Sequence, residues 1–140
     1  MHEELNFIVA SYENCTELAF FNKCLIDDGG SYNNLSLQEL ESRMYDFISS
    51  GYTAIIFEVG NKNIGYALID TKKSPIFIRH YFIAQPFRRK GYGKTAFNKL
   101  IDFLGVNKID LSVLANNDIG YNFWISCGLV PYEIQMHYRK

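Results

Sequence analysis

The chain has 140 residues, 48% hydrophobic and 16% aromatic, with ten Tyr and eleven Phe. That is apolar surface enough for one domain with its own core, and it excludes global disorder. A formal net charge of −1 excludes the broad basic surface that duplex nucleic acid demands, so any basic cluster is local.

Residues 5–11 (LNFIVAS) read as a first strand, and Leu18, Phe21 and Leu25 then recur at helical spacing until "DDGG" (27–30) stops the helix. Ser36 and Glu39 form a capping box for a second helix whose apolar stripe is Leu37, Leu40, Met44, Phe47 and Ile48, ending at Gly51. Strands at 52–59 and 64–70 flank "GNKN", a hairpin with a four-residue turn, and Pro75 opens a third strand of this group at 76–84. Phe97, Leu100, Ile101 and Leu104 fall at i, i+3, i+4 and i+7, which predicts a helix over 92–104 stopped by Gly105. A strand at 108–114 follows. Asn116 to Asp118 offer a cap for a last helix running to Cys127 and closed by Gly128, and residues 130–138 alternate apolar and polar as a half-buried final strand. The predicted fold is a single α/β (α+β) domain over 1–140, in the order β-α-α-β-β-β-α-β-α-β: a mixed, mostly antiparallel sheet flanked by helices.

Cys15, Cys24 and Cys127 are odd in number and none has CxxC spacing, so they read as reduced thiols of the cytoplasm. His2 and His137 lie at the termini, and no set of His, Cys and acidic residues has metal spacing, so no metal is expected. Met1 is followed by acidic residues rather than a leader, and no run approaches the ~18 apolar residues of a membrane span.

The densest chemical signal is "RRKGYGK" (88–94) at the mouth of the predicted helix 92–104. A helix N-terminus carries unpaired N–H groups and the positive end of the dipole, glycines admit a close anion, and Arg88, Arg89, Lys90 and Lys94 add charge. The alternative is a capped helix with a solvated basic face. "GKT" (93–95) imitates the end of a P-loop, but Arg88 stands where its first glycine belongs. "GYGKTA" (91–96) fits a dinucleotide fingerprint, yet six residues separate it from the preceding strand and the hairpin upstream is antiparallel.

"RRKGYG" (88–93) resembles the R/Q-x-x-G-x-G/A signature of the GNAT superfamily of N-acetyltransferases, and "NDIGYNFWISCGL" (117–129) resembles its later N-x-x-A-x-x-F-Y-x-x-x-G-F pattern, with Asn117, Phe123 and Gly128 matching. The resemblance covers roughly 76–129, with Pro86 one position later than the family's proline. It implies acetyl-CoA as co-substrate, its pyrophosphate held by amides from Arg88 through Arg89, Lys90, Gly91, Tyr92 and Gly93 to Lys94. It further implies that Ile83 offers main chain to the acetyl or pantetheine portion and that Asn117 contacts the cofactor from the other side.

The implied reaction is acetyl transfer to a primary amine, a small molecule or a peptide, by direct attack in a ternary complex. The alternative is a CoA-binding sensor or regulatory module. Trp124 stands where the family often has a tyrosine acid, and an indole will not surrender its proton near neutrality; Tyr121, Tyr92 and Tyr81 are the substitutes. For the base, period two separates Arg79 and Tyr81 from His80 and Phe82 unless a bulge changes the phase. His80 has a suitable intrinsic pKa, Glu58 is a further candidate, and Arg79 would suit an acceptor bearing a carboxylate. His80 and Tyr81 are thus the candidate catalytic residues. The aromatic strand ending at Tyr138 also raises pairing between subunits as a homodimer.

Overall fold

The computed structural model describes residues 3–29 and 33–140; His2 and Gly30 lie outside them. Strand β1 (Leu5–Val9) leads through a 3-10 turn (Tyr12–Asn14) into α1 (Cys15–Gly29). The helix ends within the expected "DDGG" segment, running through Asp27 and Asp28 to Gly29. Carboxylates oppose the dipole at a C-terminus, and here both are offset by cations: Lys23 lies 3.9 Å from Asp27, and Arg88 pairs with Asp28. Helix α2 (Leu37–Ser49) begins at the expected capping box, Ser36 Oγ accepting from Glu39 N at 3.1 Å and Glu39 Oε1 accepting from Ser36 N at 3.0 Å.

Strands β2 (Thr53–Val59) and β3 (Lys62–Asp70) form the predicted hairpin, but Val59 pairs with Lys62, so the turn is the two residues Gly60 and Asn61 rather than four. β4 (Ile76–Ile83) is followed by a 3-10 turn (Gln85–Phe87), α3 (Tyr92–Leu104), β5 (Ile109–Leu111) and α4 (Asp118–Ser126). The sheet order is β1-β2-β3-β4-β5, antiparallel throughout except for the parallel pair β4 and β5.

Strand alternation sorts the core into two layers. Ile55, Phe57, Ala67 and Ile69 face α3, where Ala96, Phe97 and Leu100 meet them. Ala54, Ile56, Tyr66 and Leu68 face the other way onto Leu18 and Phe21 of α1 and Met44 of α2. Because both faces are covered, β2 and β3 read as nearly continuous apolar runs, and each fully buried aliphatic side chain contributes about 1.5–3 kcal/mol of transfer free energy.

Two expectations at the C-terminal end are corrected. β5 is three residues long, not seven, because its partner β4 diverges after Ile78. Residues 130–140 form no strand: Val130, Tyr132, Ile134, Met136 and Tyr138 are between 80% and 94% exposed. Alternation supplies a strand's side-chain pattern, but a strand also needs a paired neighbouring backbone, and among the described residues this segment has none.

Candidate active site

β4 is paired with β3 from Phe77 to Ile83, apart from Arg79, whereas β5 accompanies it only over Ile76 to Ile78. At Arg79 β4 carries an extra residue: Leu68 faces His80 while Ile69 faces Ile78. Beyond that bulge β4 and the chain after β5 part company and open a cleft of about 370 Å³, floored by residues 78–81, walled by 111–114, Asn117 and Trp124, and closed on the helical side by Asn22 and Arg43.

The bulge changes the phase of the strand. Arg79 and His80 are neighbours on the α2 side, both against the Phe47 ring, with the Arg79 guanidinium 5.1 Å and the His80 ring 6.0 Å from its centroid. Tyr81 turns to the α3 side instead. Its hydroxyl donates to the Gly93 carbonyl at 2.6 Å, and its ring packs against Phe123 and Trp124 at 6.0 and 4.9 Å between centroids.

Burial alters the titration of His80 and Tyr81. Burial first, and then the positive charges of Arg43 and Arg79, push the His80 imidazole down to about 3. Its Nδ1 shares a 3.0 Å hydrogen bond with the Tyr66 hydroxyl. Burial raises the Tyr81 phenol well above its usual value, with the nearby Cys127 adding to the rise, and burial likewise raises the Cys127 thiol. Near pH 7 the site therefore holds a neutral imidazole, a neutral phenol and a thiol of weakened nucleophilicity. Trp124 meets Tyr81, Phe97 and Phe123 edge to face and so belongs to the packing of the wall.

The loop leading to α3 is exposed from Arg88 to Gly91. Two left-handed residues, Arg89 (φ 62°) and Gly91 (φ 85°), bend it into the helix, the second as the helix N-cap. The amides of Arg89, Lys90, Gly91, Gly93 and Lys94 have no acceptor among the described residues, which is the state an anion site at a helix start requires. Arg89, Lys90 and Lys94 are exposed and have no acidic partner there, while Tyr92 packs its ring on the core.

Arg88 does something else. Its Nε donates to the Ile83 carbonyl at 2.7 Å, its guanidinium lies 5.5 Å from the Phe82 ring centroid, and it pairs with Asp28. It ties the loop to the end of β4 and to α1, and it occupies the Ile83 carbonyl, one part of the main chain that Ile83 was expected to offer. Gly93 also has a structural role, since a Cβ there would stand 3.0 Å from Phe123 Cε1: the glycine lets α3 approach α4 closely. Asn117 caps α4, its Oδ1 accepting from Gly120 N at 2.9 Å, while its Nδ2 donates to no described residue and the side chain lines the cleft.

Glu58 sits on β2 and does not line the cleft. Among the described residues no three His, Cys, Asp or Glu converge as a metal site, and no helix is long and apolar enough to cross a membrane. The sequence reading missed Asn22 and Arg43. Both stand within apolar stripes, Asn22 four residues after Leu18 and Arg43 between Leu40 and Phe47, and a polar residue on a buried helix face was the available signal.

A model of the Acetyltransferase (GNAT) family matches residues 14–129. The chain belongs to the GNAT acetyltransferase family. A search of curated proteins found no match. Among solved structures, a "possible acetyltransferase" from Clostridium difficile 630 superposes with a TM-score of 0.77 at 15% identity, covering 99% of this chain and 98% of that one. The aminoglycoside N-acetyltransferase AAC(6′)-Iy in complex with CoA gives 0.75 at 14% identity, with 100% and 97% covered. An aminoglycoside acetyltransferase from an uncultured soil metagenomic sample, in complex with sisomicin, gives 0.69 at 14% identity, with 97% and 95% covered. At such identities the likeness is one of fold.

Proposed function

We propose that this protein transfers the acetyl group of acetyl-CoA to a primary amine, of a small molecule or a peptide, by direct attack within a ternary complex. The observation that carries the reading is the pairing of two features: the amides of Arg89, Lys90, Gly91, Gly93 and Lys94, which have no acceptor among the described residues, and the cleft that opens where β4 and β5 separate. The amides and the charges of Arg89, Lys90 and Lys94 suit a diphosphate, and Asn117 Nδ2 is a donor left over inside the cleft. Bound acetyl-CoA supplies an activated thioester, a thiolate being a tolerable leaving group. Chemically the amine nitrogen bonds to the acyl carbon, the carbon–sulfur bond breaks, and the ammonium proton passes to water.

His80 and Tyr81 carry the assignment of catalytic residues in an altered form. A His80 imidazole held near 3 is too weak a base to take a proton from an alkylammonium, so it acts on the cleft by holding Tyr66. Tyr81 positions the first turn of α3 through Gly93. Deprotonation of the amine is favoured instead by Arg43 and Arg79, whose positive field lowers the pKa of any ammonium entering the cleft.

The absence of a near-neutral acid or base among these residues favours a second reading, a CoA-binding sensor or regulatory module. Thiol release from acetyl-CoA across an amine panel, with CoA-induced thermal stabilisation measured in parallel, separates the two. Stabilisation by CoA with no thiol release for any amine rejects catalysis; absence of both rejects the cradle. We further infer a cytoplasmic enzyme that pairs as a homodimer, the exposed segment 130–138 of each chain adding to the β5 edge of the other, since that edge has no partner among the described residues.

A further inference from the structure

We infer that the acceptor amine also carries a carboxylate, and that Arg43 and Arg79 bind it; this rests on the acyl-transfer reading above and narrows its substrate class.

Among the described residues that line the cleft there are two guanidinium groups and no Asp or Glu. Arg43 of α2 and Arg79 of the β4 bulge approach the same ring, Phe47, with their guanidinium carbons 5.6 and 5.1 Å from its centroid. Neither has an acidic partner among the described residues. Arg43 places one nitrogen 2.8 Å from Asn22 Oδ1, but its Nε is shut away from solvent with no hydrogen-bond partner, the sole buried side-chain nitrogen or oxygen so stranded among the described residues. A buried donor without a partner is costly, and two like charges brought together add repulsion. A carboxylate in the cleft offsets the repulsion, because its two oxygens can take the accessible terminal donors of the guanidinium groups.

The surroundings are already fixed for this task. Asn22 is 1% exposed and stands between Arg43 and the Tyr66 hydroxyl, which in turn holds His80. The arrangement is thus a polar network that ends in the Arg43 cation, with Arg79 beside it on the Phe47 ring, and both cations share the cleft with Asn117 and Trp124. A zwitterion fits both ends: its carboxylate answers the arginines, and its amine remains free to be deprotonated and to attack. The polycationic acceptors named for some structural relatives are disfavoured here, because every added ammonium meets two uncompensated guanidiniums.

The test uses matched acceptors: the ω-amino acids from glycine to 6-aminohexanoate and L-glutamate, each beside its neutral methyl amide, with neamine as a polycation. The expected result is a kcat/KM at least about tenfold higher for a carboxylate acceptor than for its amide, and a similar loss of that preference in Arg79→Gln and Arg43→Gln, while stabilisation by CoA is unchanged. Arg79 is exposed, so Arg79→Gln serves even if Arg43→Gln folds poorly. A second readout does not need turnover: N-acetyl amino acids should raise the melting temperature of the CoA complex, and lose that effect in Arg79→Gln. Equal use of amides or neamine, an unaltered preference in both variants, or no stabilisation by any carboxylate overturns the inference while leaving acyl transfer standing. Loss of CoA binding and of turnover with every amine overturns the acyl-transfer reading itself, and this inference with it.

Discussion

The depressed His80 pKa gives the protein a specific acid sensitivity. In the unfolded chain the imidazole titrates near 6.5, whereas in the folded protein it is held at about 3 by burial and by Arg43 and Arg79. Below about pH 6.5 the unfolded state gains a proton that the folded state refuses, so stability is complete above that value and falls as the pH is lowered towards 3. Each pH unit in that window costs about 1.36 kcal/mol, so by about pH 5 the loss due to this one residue reaches about 2 kcal/mol, an upper figure because the imidazole is partly rather than fully buried. Urea denaturation at about pH 7.5 and pH 5 measures it, with His80→Gln as reference: glutamine can still accept from the Tyr66 hydroxyl but does not titrate. The unsubstituted protein should lose about 2 kcal/mol more than the variant across that interval. An identical loss in both, or an imidazole titrating near 6.5 by NMR, would refute the reasoning.

Tyr81→Phe removes the 2.6 Å bond to the Gly93 carbonyl and should cost about 1 kcal/mol of stability, with weaker CoA binding and less than about a tenfold fall in kcat at saturation. A hundredfold fall in kcat with CoA affinity intact would make Tyr81 an acid after all. Gly93→Ala presses a methyl against Phe123 and should lower the melting temperature and CoA affinity together, and Phe123→Leu should restore part of both by making room; if the double variant is no better, the contact is not the cause. Light scattering should find a dimer, converted to monomer by Ile134→Asp with Met136→Asp; a monomeric unsubstituted chain removes the strand pairing.

Local rules were sufficient where the signal and its cause lie in the same few residues. The capping box at Ser36 and Glu39, the apolar stripe over 92–104 and the Asn117 cap are each satisfied by groups within one or two turns, so the sequence determined them and, with them, the order of elements up to α4. The exposed loop with its left-handed Gly91 before α3 was legible for the same reason, since glycines and basic residues before a helix act on its start locally. The final strand was not, because a strand is completed by another backbone, and the alternation of 130–138 says nothing of whether one is at hand. The bulge at Arg79 likewise arises between two strands, and it alone set Arg79 beside His80 and sent Tyr81 to the opposite face. Tertiary packing also set the neighbours and solvation of the candidate residues: it tied Arg88 to Ile83 and Asp28, buried His80 and lowered its pKa, and brought Arg43 from a distant helix to Arg79. Residue type fixes what a side chain can do, and only the folded surroundings decide its neighbours, its solvation and hence its charge.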